Sequence, residues 1–69
     1  MESELEMVRR HVREGERLLT HQRAIVARLQ DGGHSTEVAE QLLANIEDSQ
    51  RMHRNHLARL LEAGGPRIT

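Results

Sequence analysis

Mostly apolar positions recur along this chain at alternating spacings of three and four, in two stretches separated by one break. In the first stretch Leu5, Val8, Val12, Gly15, Leu19, Gln22, Val26 and Leu29 fall on one helical stripe. In the second, Ala39, Leu42, Ile46, Ser49, His53, His56, Leu60 and Ala63 repeat the alternation. This period is the seam of a coiled coil and predicts two long helices. Gly32-Gly33 suits a left-handed cap at the end of the first helix, and Ser35 or Thr36 suits the N-cap of the second. Gly64-Gly65-Pro66 stops the second helix. The expected domain is a single one: helix over about 3–31, loop over 32–35, helix over about 36–63, and a frayed tail over 64–69. A loop this short returns the chain antiparallel to itself, giving a hairpin of helices each about 42 Å long.

Folding the hairpin at His34 pairs residues whose numbers sum to 68, with a slip of one turn as the competing register. Leu29 then meets Ala39, Val26 meets Leu42, Gln22 meets Ile46 and Leu19 meets Ser49. Beyond them Gly15 meets His53, Val12 meets His56, Val8 meets Leu60 and Leu5 meets Ala63. The middle of this seam is polar, formed by Gly15, Gln22, Ser49, His53 and His56. A glycine opposite an imidazole makes room for the ring, although glycine costs about 1 kcal/mol against alanine in a helix interior. Polar seam groups need partners when buried, and their expected role is to select register and assembly state.

Large apolar residues also flank the seam: Leu18 and Ile25 on the first helix, and Val38, Leu43, Met52, Leu57 and Leu61 on the second. One sister helix cannot cover a stripe that wide, and a lone hairpin of this size is marginal. The expected architecture is therefore all-α, a coiled-coil-like antiparallel hairpin that dimerises into a four-helix bundle through those flanking residues. An unidentified protein supplying helices of its own is the other candidate for the same faces.

Composition narrows the function without naming it. The 69 residues are 36% hydrophobic and hold no cysteine and no aromatic residue. Disulfides, thiol chemistry and cysteine metal sites are thereby excluded, as are stacking platforms for single-stranded nucleic acid. The longest apolar run is Ala24 to Ala27, too short to cross a membrane, and the acidic start Met1-Glu2-Ser3-Glu4 is unlike a signal peptide. A cytoplasmic protein without a membrane partner is expected. All ten basic residues are arginine and they oppose eleven acids, for a net charge of −1. The signs interleave at helical spacing, Glu6 with Arg9 and Arg10, Arg10 with Glu14, Glu14 with Arg17 and Glu47 with Arg51, which reads as solvated faces with intrahelical ion pairs. An Arg-rich nucleic-acid accessory role through Arg9, Arg10, Arg13 and Arg17 is a distant alternative, since Glu6, Glu14 and Glu16 stand among them.

Catalysis finds no footing. Ser49 stands four residues before His53, but no third member or oxyanion donor accompanies the pair, and a two-helix unit is expected to have no concave pocket of its own. No enzyme activity and no cofactor are expected. His11, His53 and His56 could gather near Glu14, which keeps a histidine-based metal-binding or pH-responsive bundle as the main alternative function. His21 and His34 read as surface and loop residues.

The stretches Met7-Val-Arg-Arg-His-Val-Arg-Glu-Gly15, Gln22-Arg-Ala-Ile-Val-Ala-Arg-Leu29, Ala39-Glu-Gln-Leu-Leu43 and His53-Arg-Asn-His-Leu-Ala-Arg-Leu60 are similar to a group of short proteobacterial proteins. The resemblance covers most of the chain and implies a bacterial, cytoplasmic helical hairpin. It brings no activity, cofactor or site residue. The function expected is a non-catalytic interaction or regulatory module that self-associates through apolar helix faces.

Overall fold

The computed structural model describes residues 1–64, which form two helices and the turn between them. Helix α1 spans Glu4–Asp31 and α2 spans Glu37–Gly64. Ser3 caps α1: its backbone is extended and its hydroxyl accepts a hydrogen bond from the Glu6 amide at 3.1 Å. Glu4 and Glu6 in the first turn add favourable charge at the positive end of the helix dipole. At the start of α2 the Thr36 carbonyl accepts from the Glu40 amide at 2.8 Å, which makes Thr36 the boundary residue there. The helix reaches Gly64, and the remainder of the stop signal with the tail over 65–69 lies outside the described residues.

The turn is closed by backbone geometry. Gly33 takes φ +72°, the left-handed conformation, while Gly32 stays right-handed. The His34 amide donates to the Leu29 carbonyl at 2.8 Å, and the Gly33 amide donates to the Gln30 carbonyl at 3.1 Å. Those two bonds are the Schellman pair, which satisfies carbonyls that the end of α1 would otherwise leave open. Gly33→Ala places a Cβ in a conformation that costs an L-residue about 1–2 kcal/mol. Thermal unfolding of that variant at matched protein concentration should therefore fall below wild type by several degrees.

The helices pack side by side into a plate of 58 × 25 × 14 Å, one helix thick. Its radius of gyration of 16.3 Å compares with about 11 Å for a compact domain of this length. The buried apolar residues, Val8, Leu19 and Val26, all lie on α1. Beside them two glutamines are as deeply placed: Gln22 is 6% exposed and Gln50 1%.

The seam on α1 runs as its pattern predicts, but on α2 it is displaced. The residues of α2 turned toward α1 are Ala39, Leu43, Ile46, Gln50, His53, Leu57 and Leu60, all buried or half-buried. Leu42, Ser49 and Ala63, expected in the seam, are exposed, and His56 is only half-covered at its edge. Gly15 faces Gln50 and not His53, so the layers pair numbers that sum to 65, three residues or about 4.5 Å from the expected register. In this register Val26 comes level with Ala39, Leu19 with Ile46 and Val8 with Leu57. The physical reason is that both stripes of α2 pass through Ala39, Ile46, His53 and Leu60, and they differ in what lies between. The observed stripe takes Leu43 and Leu57 from water where the other would take Leu42 and His56. Apolar burial is worth about 1.5–3 kcal/mol per large side chain, so leucine displaces histidine.

Candidate functional site

At the centre of the seam Gln50 reaches across to α1. Its side-chain amide donates to the Val12 carbonyl at 2.7 Å and to Glu16 Oε1 at 3.1 Å. Gln22 makes the converse bond, donating from Nε2 to the Ala39 carbonyl of α2 at 2.9 Å. Each helix thus sends one glutamine to the backbone of the other. Slipping the helices by a turn would break both bonds and leave buried amides without partners, which is how a polar layer selects register.

Gly15 makes the Gln50 bonds sterically possible. A Cβ on residue 15 would come within 2.5 Å of Gln50 Cδ and nearer still to Oε1. Oε1 is buried without a hydrogen-bond partner and rests against the glycine backbone. Of the expected polar seam residues, Gly15 and Gln22 are buried, His53 and His56 are half-buried, and Ser49 faces solvent. Gln50, absent from the expected set, is the most deeply placed polar residue. A signal for it was present, because the stripe through Leu43 and Leu57 includes position 50.

The two flanks of the seam differ in chemistry. One carries ion pairs between the helices: Glu16 with Arg54, and Arg23 with Glu47 at 3.9 Å. Leu61, seven residues beyond Arg54, continues this charged side. Glu47 therefore pairs across the hairpin, while Arg51 pairs with Asp48 at 3.2 Å instead of with Glu47. Arg10 binds Glu14 at 3.4 Å as its spacing predicts, and also binds Glu2 at 2.8 Å. A hydrogen bond from the Arg10 guanidinium holds the Glu2 carboxyl below its ordinary range. Both residues are solvated, so the pair steadies the N-terminus without supporting the core.

Among the described residues, the other flank has no cross-helix ion pair along its apolar half. Leu18 is 53% exposed, Leu42 49%, Met52 69% and Val38 84%, with Ile25 half-buried beside them. A groove of about 340 Å³ opens here between the helices, walled by Leu18, Ile46 and Gly15 and edged by Glu14, Asn45 and Ser49. Of the residues expected on an outer face, Leu18, Ile25, Val38 and Met52 lie on this side. Leu43 and Leu57 turn into the seam, Leu61 falls on the charged side, and Leu42 joins the apolar side in their place.

The three histidines do not gather. His11 and His53 come together in the groove, with ring centroids 5.3 Å apart and planes tilted by 41°. His56 turns toward the open end of the hairpin, where its Nε2 lies 3.1 Å from Glu4 Oε1. Among the described residues no three His, Asp or Glu side chains converge as a metal-binding group, and no helix is long and apolar enough to cross a membrane. No protein-family model, curated protein or solved structure matches the chain.

Proposed function

We infer that the protein is a non-catalytic interaction module that works by pairing with a second copy of itself through the apolar flank, closing into a four-helix bundle. The observation that carries this reading is the clustering of exposed Leu18, Val38, Leu42 and Met52 on one side beside an open groove, against Leu61 by itself on the charged side. Area supports a second copy as the occupant. A compact chain of 7.9 kDa exposes about 4,400 Å² by the usual scaling, whereas this one exposes 5537 Å². The surplus of about 1,100 Å² is close to the roughly 800 Å² that each partner contributes to a standard interface. Charge opposes association little, because each copy carries a net −1. The charged side, with its ion pairs already made, would face solvent in such a bundle.

On this reading the protein acts in the bacterial cytoplasm, presenting the outer surfaces of the bundle to whatever it regulates or scaffolds. Light scattering on the purified chain at tens of micromolar should return the mass of two chains. A single-chain mass over that range would overturn self-association and leave the flank for another protein.

A further inference from the structure

We propose that His11 and His53 together hold one divalent transition-metal ion, of the imidazole-preferring kind represented by zinc, in the groove between the helices. Two observations carry the site. The ring centroids stand 5.3 Å apart across the two helices, and two imidazoles sharing a tetrahedral ion at Zn–N of about 2.0–2.1 Å bring their ring centres to about 5 Å. In addition, His53 Nδ1 is buried with no hydrogen-bond partner. In the tautomer protonated at Nε2 this nitrogen presents an unpartnered lone pair that a Lewis acid can take, and a buried polar group without a partner is uncommon.

The surroundings suit an ion that keeps open positions. The groove of about 340 Å³ admits an ion with its waters, and Glu14 stands at its edge as a carboxylate able to balance charge. Two protein ligands with water completing the shell give a site of moderate affinity, unlike the closed four-ligand sites of structural zinc. Because one ligand comes from each helix, the ion would clip α1 to α2 and stabilise the folded hairpin in proportion to its free concentration. Both ligands come from one chain, but the groove opens on the apolar flank that a second copy would cover, so the titration is accompanied by light scattering to read failure of the site apart from failure of the dimer.

The test titrates zinc into chelator-treated full-length protein, following the imidazole Cε1–H resonances and the thermal midpoint. The expected result is one zinc per chain at micromolar affinity, shifts at His11 and His53 only, and a midpoint raised by several degrees at saturation. His11→Gln and His53→Gln should each lose affinity at least tenfold, whereas His21→Gln and His34→Gln should retain it. Circular dichroism verifies that each variant keeps its helices, and the wild-type resonance pattern decides the matter should His53→Gln unfold. Zinc that shifts His21, His34 or His56 in place of this pair, or no saturable binding below millimolar zinc, would overturn the proposal.

Discussion

On the proposed pairing, the Leu18→Glu/Leu42→Glu double variant should run as a single chain at concentrations where wild type is expected to run as a pair. In a two-fold bundle each substitution acts twice, so four leucines leave the interface and four carboxylates must be desolvated in their place. These leucines are about half-covered already, so the lost apolar burial alone amounts to about 3–6 kcal/mol per dimer. That loss weakens the dissociation constant by about two to four powers of ten. Part of the helix signal should disappear as well, because a free hairpin of this length has too little buried surface to hold itself firmly. Leu61→Glu is the matched control: the same chemical change on the charged side should leave the mass unaltered. A double variant that kept the dimer mass would show that the apolar flank is not where the copies meet.

The second large effect lies at Gly15, and its sign is diagnostic. Glycine to alanine in a helix interior ordinarily stabilises by about 1 kcal/mol. Here the new Cβ would collide with the Gln50 side chain, which is 1% exposed and has nowhere to retreat without giving up Val12 and Glu16. A neutral hydrogen bond contributes about 0.5–1.5 kcal/mol and one to a charged group about 1.5–3, so their loss outweighs the propensity gain. Gly15→Ala should therefore destabilise by about 1–3 kcal/mol, a drop in thermal midpoint on the order of 10 °C for a domain of this size. In a Gln50→Ala background the collision is gone, and the same Gly15→Ala change should raise stability by about 1 kcal/mol. The reversal is read by denaturation of all four proteins at one concentration. A stabilising Gly15→Ala in the wild-type background would remove Gly15 and Gln50 from the account of register.

Gln50 also marks where sequence reading reaches its end. Two helical stripes run through Ala39, Ile46, His53 and Leu60, one by way of Leu42, Ser49 and His56, the other by way of Leu43, Gln50 and Leu57. Counted along one helix, both alternate threes and fours, and neither is ruled out by composition. What separates them is the partner surface. Gly15 leaves a gap of the size of a side-chain amide, Val12 and Glu16 offer acceptors at its edge, and Val8 comes level with Leu57 only when the gap is filled by Gln50.

The two helices, the Ser3 cap of α1 and the turn were settled locally by the sequence. Hydrophobic period, the Ser3 hydroxyl, the acidic first turns and a glycine able to take φ +72° each act within a few residues, where backbone geometry leaves little choice. The width of the apolar stripe was equally legible, and with it the expectation that one sister helix would not suffice. Only the packed pair decided which side of that stripe is used. Interhelical register depends on side chains more than thirty residues apart finding hydrogen bonds and volume together, as Gln50 does with Val12. The same packing turned Leu43 and Leu57 inward, left Leu18 and Leu42 facing out, and parted His56 from the pair formed by His11 and His53.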